Sequence, residues 1–338
     1  YALQAIQHTL EAADRAGVSF RDHPILPTLW SGPLQLSYPN GQTPVFHDSD
    51  PISLAHYQSI FAWGAAYFND PALAAGSPTG LASTNLARLG LAILRRGAGE
   101  NASCLMLDYG EHGDHHGHPD KLNIALFALG RELLVDPGRL SYSLPEYESW
   151  CRTTVAHNTV TVGSRNQRSD TGRLLFYADT PDAAAALALS DGAYPGATLR
   201  RFVVLANDLL VDAVAVRDAF PMQIDWIVHG RGGLTGPTNL TIRLKPLGER
   251  DGYPHLANLQ DGVCSRGPVP FTFTLDSGDL WRLWCVNADF RTRLVSGTGI
   301  GYRLDDAVPF VLQRRMAEHT LFLNVFDLSG SGAIAQVE

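Results

Sequence analysis

The chain is poor in cysteine, in charge of a single sign and in long apolar runs. Its four cysteines, Cys104, Cys151, Cys264 and Cys285, form no CxxC pair, which excludes the usual cysteine-based metal sites. One disulfide stays open, because spacing does not settle pairing. Cys151 and Cys285 sit in apolar or mixed runs and read as small core residues. No apolar run reaches the ~20 residues of a membrane span, and no signal peptide is visible. Charged residues make up only 18%, without a long block of one sign, and the formal net charge is -8. Nucleic acid and anionic membranes need a basic surface, so neither is expected as a partner. An acidic substrate remains open if cationic groups gather locally. The sequence enters a helical pattern at Tyr1 without a Met, from which a removed front is expected. Oligomeric state and compartment stay open, a periplasmic or secreted setting being expected ahead of a cytoplasmic one.

What is present suffices for one large core or two smaller ones: 338 residues, 45% of them hydrophobic. The first hundred residues read as helical. Leu3, Ile6, Leu10 and Ala13 recur at helical spacing between Tyr1 and Ala16, and Gly17 ends the run. A Pro- and Gly-rich loop is expected from Arg21 to Pro44. Ser53 to Asn69, Ala72 to Ala75 and Thr84 to Arg96 are further expected helices. These pieces resemble helix pairs from a larger array and bury too little to stand alone. Past Gly99 the period becomes two. Strand-like runs follow one another, including Cys104 to Tyr109, Lys121 to Ala128, Glu132 to Val135, Asn158 to Val162, Leu209 to Arg217, Gly301 to Leu304 and His319 to Asp327. The expected organisation is a helical segment over 1–100 and an antiparallel β-sandwich over 101–338.

Chemistry concentrates in one stretch. Between Asp108 and Leu122, four of the twelve histidines (His112, His115, His116 and His118) fall within seven positions, spaced by glycines. Imidazole is a neutral nitrogen ligand and a proton carrier near neutral pH, so such a cluster suits a divalent metal, zinc above all. Partners are sought at later turns. Asp136 ends a strand before Pro137-Gly138, and His157 stands at the entry to another strand. His118, Asp136 and His157 then make a His2Asp set. Taken singly, Asp136 reads as a turn residue and His157 as a hydrogen-bonded sheet histidine; the combination points to a metal.

The order Asp-Tyr-Gly, His-Gly-His-Pro-Asp-Lys-Leu, Gly-Arg-Glu-Leu-Leu-Val-Asp-Pro-Gly, Ser-Tyr and Thr-Val-Ala-His-Asn-Thr-Val, from Asp108 to about Gln167, resembles the heparinase II/III-like polysaccharide lyases, which include oligoalginate lyases. The resemblance implies the end of an incomplete (α/α) toroid followed by an antiparallel β-sandwich. It implies β-elimination on a uronic-acid polymer or oligomer, alginate-like or a glycosaminoglycan. It places His116 at the catalytic cleft, assigns zinc to His118, Asp136 and His157, and makes Tyr142 the nearest match to a tyrosine that reaches the cleft. The family's principal catalytic tyrosine, and the Asn and His that neutralise the substrate carboxylate, lie in the toroid. Tyr1 is expected to fall a few residues beyond that tyrosine, which would leave a chain this short inactive or crippled.

Elimination needs neutralisation of the carboxylate, a base for the C5 proton and an acid for the leaving O4. His116 and Tyr142 are the acid–base candidates here. Zinc is expected to act as a structural staple that holds His116. Lys121, Arg152, Arg165 and Arg168 are candidates to meet a polyanion, and His229 to approach the cleft. Trp150, Trp226, Trp281 and Trp284 are candidates to stack on sugars. The scarcity of basic residues favours alginate-like oligouronides over a highly sulfated chain. Two rival readings are a zinc-dependent glycan hydrolase, with metal-activated water, and a non-catalytic carbohydrate-binding fragment. Gly297 to Gly301 lacks the Lys-Ser/Thr and helix of a phosphate loop.

Overall fold

A computed structural model describes residues 2–334 apart from 75–77, 79 and 265; Tyr1 lies outside the described residues. The chain folds as two compact units. One comprises residues up to Pro44, Pro51–Leu81 and Ala98–Asn101, and the other Val45–Asp50, Ala82–Gly97 and the chain from Ala102 onward.

The first unit is helical: α1 (Ala2–Arg15), α2 (Leu26–Gln35) and α3 (Gln58–Phe68). Its core gathers Leu10, Trp30, Leu34, Ile60, Phe61 and Tyr67. Helix α2 lies inside the stretch expected to be a loop. Pro27 stands in its first turn, where a missing N–H costs nothing, and Trp30 and Leu34 bury its inner face.

The second unit is built from two antiparallel sheets. The smaller has strands β1 (Thr84–Leu86), β2 (Leu91–Arg96), β3 (Ser103–Asp108), β4 (Ile124–Ala128) and β5 (Arg131–Leu134) in simple succession. The expected helix over Thr84 to Arg96 is therefore corrected. Every residue from Leu91 to Arg95 is buried, a two-sided burial that one apolar stripe of a helix does not give. The larger sheet contains β6 (Val160–Val162), β7 (Arg173–Asp179), β8 (Ala184–Ser190), β9 (Thr198–Ala206), β10 (Leu209–His229), β11 (Gly233–Thr235), β12 (Thr241–Ile242), β13 (Ala257–Val263), β14 (Val269–Thr274), β15 (Leu280–Cys285), β16 (Arg293–Ile300) and β17 (Ala307–Gly330). Its main path runs β11-β14-β15-β17-β10-β9-β8-β7. The register shifts between Arg217 and Met222, and β10 continues as one long irregular strand beyond the expected run Leu209 to Arg217. Gly301 to Leu304 is not a strand; β16 precedes it, paired to β17 along its whole length.

Alternation of buried and half-buried residues along β9 and β10 turns one face of the large sheet toward the small one. Leu94, Leu105, Leu126, Val203, Val214 and Trp226 share that core. A second core, with Trp150, Val155, Ile227, Tyr253 and Phe310, supports the segment from Tyr147 to Ala156. All four cysteines are buried and free. Among the described residues no helix is long and apolar enough to cross a membrane.

Candidate active site

Three connections meet at one end of the second unit. The first joins β3 to β4 and carries the histidine cluster. It folds on itself tightly: a Cβ on Gly117 would lie 1.6 Å from the His112 carbonyl oxygen, so only glycine fits between His116 and His118. The second is the Asp136-Pro137-Gly138 turn after β5. Gly138 has φ +58, and a Cβ there would lie 2.4 Å from Val45 and 2.6 Å from the Ser49 carbonyl oxygen. The bare glycine thus admits the loop 45–50. The third is the short 3-10 turn Thr154–Ala156, which presents His157.

His118, Asp136 and His157 are each fully buried, and one donor atom from each lies within 4.8 Å of the others. Their orientations are fixed. Asp136 Oδ1 accepts from Gly138 N–H at 3.0 Å, and Oδ2 accepts from Asn123 Nδ2 at 2.6 Å. His157 Nε2 donates to the Cys151 carbonyl at 3.0 Å, because a carbonyl only accepts, so Nδ1 faces Asp136 Oδ2 at 2.8 Å. Burial opposes the charged form of His157, but Asp136 outweighs it and raises its pKa. His118 behaves oppositely: burial, then the neighbouring His157, lowers it to about 4. Its Nε2 meets Asp48 Oδ1 at 3.0 Å. Its Nδ1 is buried without a hydrogen-bond partner among the described residues. An orphan imidazole nitrogen beside a carboxylate and a second imidazole is the donor set of a borderline-soft divalent metal, and these three residues fit one.

Asp48 escaped the sequence reading. Besides His118, it accepts at Oδ2 from His116 Nδ1 at 2.8 Å, Tyr147 OH at 2.9 Å and Tyr142 OH at 3.3 Å. Burial pushes its carboxyl up, but hydrogen bonds from His116, His118 and Tyr147 outweigh that and hold it below the ordinary value. Tyr147 is pushed up to about 12 by burial and by its bond to Asp48. The His116 side chain is 75% exposed and Tyr142 is 52% exposed, with ring centroids 6.5 Å apart. An imidazole and a phenol are thus open to solvent on one side and anchored to a buried carboxylate on the other. The signal that could have revealed Asp48 was its place in His47-Asp48-Ser49-Asp50, a polar cluster far from the histidines in sequence.

Lys121 is placed otherwise than expected. Its ammonium is fully buried, 3.5 Å from Asp108, 3.7 Å from Asp120 and 3.3 Å from the Glu111 carbonyl, so it is committed inside the protein and cannot meet a polyanion. His47 adds contacts of 3.4 Å to Asp108 and 3.5 Å to Asp120. Burial would raise Asp120, but His47 and Lys121 outweigh it and hold it at about 2. His229 is also buried. Its Nε2 donates to the Val155 carbonyl at 2.9 Å, and its ring packs on Trp150, so it supports the site from below. Arg152 is half-buried, 3.4 Å from Glu148 and over the Tyr147 ring, and remains beside the site. Arg165 and Arg168 are exposed. Trp150, Trp226, Trp281 and Trp284 are all buried and offer no stacking surface, because burying a large ring is worth more than exposing it.

Two asparagines and one arginine lock the loops from behind. Asn158 Nδ2 donates to the Ile124 and Val135 carbonyls, and Asn123 Oδ1 accepts from Asn158 N–H. Arg201 reaches from β9 to the carbonyls of Leu122 and Asn158, at 2.8 and 2.5 Å.

The family described as "Heparinase II/III-like, C-terminal" matches residues 78–283. The chain belongs to that family. Among curated relatives, an exo-oligoalginate lyase of Saccharophagus degradans is 29% identical over 49% of this chain and 26% of its own length. A heparin-sulfate lyase of Pedobacter heparinus is 25% identical over 57% of this chain and 31% of its own length. The chain thus spans about a quarter to a third of the curated relatives it matches. A solved heparan sulfate lyase from Pedobacter heparinus superposes with a TM-score of 0.70 at 19% identity, covering 87% of this chain and 45% of that one. A heparinase III does so with a TM-score of 0.74 at 15% identity, covering 96% and 49%. The fold of the chain is that of the matched parts, a little under half, of these solved structures.

Proposed function

We propose that this chain is the C-terminal part of a polysaccharide lyase that cleaves uronic-acid-containing chains by β-elimination. The relatives named as alginate and heparin-sulfate lyases support the reaction class. The observation that carries the assignment is the exposed His116–Tyr142 pair on a buried carboxylate. The C5 hydrogen of a uronate is acidic because the adjacent carboxylate takes up charge as the proton leaves. His116 is suited to accept that proton and Tyr142 to hand one to the departing O4. The carboxylate-neutralising groups are assigned to a toroid of which the helices α1–α3 form the end. Lys121 and His229 take no part in substrate binding; Arg152, at the rim, is kept as a candidate.

The buried set His118, Asp136 and His157 is assigned to Zn2+ in a structural role. When bound, the ion ties together the three loops that frame the site. Alginate-like oligouronides are favoured as substrates, since basic residues are scarce in the sequence.

The test is incubation of the longest native form of the protein with a panel of uronic-acid polymers, following ultraviolet absorbance. A lyase leaves a double bond conjugated with the carboxylate, and absorbance rises; a zinc hydrolase cuts without that signal, and a binding module does not cut. His116→Ala is expected to reduce the rate by about 100- to 10,000-fold. An unchanged rate in that variant removes His116 from the mechanism.

A further inference from the structure

Resting on the lyase reading, we infer that Asp48 is a positioning residue that joins metal ligation to acid–base geometry through its two oxygens. Oδ1 takes the metal-side imidazole and Oδ2 takes the proton-carrying groups.

The argument starts from what a carboxylate can do. Ionised, it only accepts, and the two oxygens of Asp48 face two imidazoles and two tyrosine hydroxyls at hydrogen-bond distance. The facing atom of each imidazole must therefore carry the hydrogen. For His118 that atom is Nε2, at 3.0 Å. The remaining nitrogen, Nδ1, is the buried orphan and is the one left for a metal. Asp48–His118–metal is thus the carboxylate–histidine–metal relay that fixes a ligand's tautomer and raises its basicity. For His116 the facing atom is Nδ1, at 2.8 Å, so its neutral form keeps Nε2 bare and turned toward solvent. A single carboxylate sets both tautomers in opposite senses, Nε2–H on His118 and Nδ1–H on His116.

The loop that carries Asp48 is held well enough to transmit this. Asp48 N–H donates to the His116 carbonyl at 3.3 Å, and Arg139 forks onto Asp50 with contacts of 3.0 and 2.5 Å. His47, at φ +55, occupies a backbone region a non-glycine residue seldom adopts. Tyr147, which also binds Oδ2, opens the Tyr147–Cys151 turn, whose Cys151 carbonyl holds His157. Both sides of the carboxylate thus reach a residue of the metal set.

The experiment compares wild type, Asp48→Asn and His116→Ala in the longest native form. Asp48→Asn keeps the shape but loses charge and one acceptor. Zinc affinity is measured by chelator competition, the His116 tautomer by nitrogen-15 NMR of labelled histidines, and kcat and KM by ultraviolet absorbance. Asp48→Asn should bind zinc 10- to 100-fold more weakly, lose the pure Nδ1–H form of His116 and lower kcat with little change in KM. His116→Ala should lose kcat while keeping zinc affinity within about twofold, since its imidazole touches only the other oxygen. If Asp48→Asn does not fold, Asp48→Ala with added formate replaces it, and formate should restore the Nδ1–H tautomer. Retention by Asp48→Asn of either wild-type zinc affinity or the Nδ1–H tautomer overturns the link. If the wild type yields no absorbing product, the lyase reading fails, while the zinc and tautomer measurements still decide the role of Asp48.

Discussion

Two buried polar networks in the same unit are built on opposite plans. In the pair on β9 and β10, Arg201 Nε and Nη2 clasp Asp212 at 2.7 and 2.8 Å. Trp226 donates to the same carboxylate at 3.0 Å, and Arg201 Nη1 serves two carbonyls. In the loops above, His118 Nδ1 lacks a hydrogen-bond partner among the described residues, and the oxygens of Asp120 have ion-pair contacts only, 3.5 Å to His47 and 3.7 Å to Lys121. Both networks are fully buried, and an unmatched buried polar atom costs about 1–3 kcal/mol. The first is complete as it stands. The second leaves an imidazole nitrogen open, beside a carboxylate and a second imidazole. Between these two networks, saturation goes with the scaffold and an open nitrogen with the proposed site.

The largest expected effect comes from breaking the saturated pair. Arg201→Met leaves Asp212 buried and uncompensated and should cost about 3–5 kcal/mol in denaturant unfolding. The double variant Arg201→Met with Asp212→Leu should recover much of that loss. A single variant costing under ~1 kcal/mol would show that the pair is no scaffold.

The open network should respond to metal instead. At a zinc concentration 100-fold above Kd, the wild type should gain about 2.7 kcal/mol of stability, read as a rise in Tm that a chelator reverses. His118→Ala should show no such rise. An equal response in both would place the metal elsewhere and end the contrast.

The smallest effect belongs to a half-exposed cluster, which calibrates both extremes. Asp261 receives Arg243 at 2.8 Å and Arg293 at 2.6 Å. Burial raises its carboxyl, but the two guanidiniums outweigh that and hold it below the ordinary 3.8. A depressed carboxylate stabilises the fold above its unfolded pKa and loses that contribution as pH falls through the folded one. The difference between wild type and Asp261→Asn should thus stay under ~1 kcal/mol above pH ~4 and fade below it. A difference that grows on acidification would reverse the sign and refute the pairing.

Much of this was written locally. Period-two runs, the glycine-spaced histidines and the strand-end Asp136 are short-range patterns, so the strands around the site and the residues His118, Asp136 and His157 could be read directly. Thr84 to Arg96 could not, because a strand buried on both faces and a buried helix share an apolar composition. Lys121 was misplaced for a related reason. A lysine beside a histidine motif looks exposed until Asp108, Asp120 and His47 close around it, and only their ion pairing makes such burial tolerable.

The sequence alone determined the family and the antiparallel design, and it pointed to His118, Asp136 and His157, which the fold brings together, because spacing of two and the order of motifs are properties of a line. Tertiary structure decided which charges are spent inside and which face solvent. It also brought Asp48, 68 residues from His116, to the middle of the site. Burial and hydrogen-bond saturation depend on what arrives from elsewhere in the chain, and no local pattern records that.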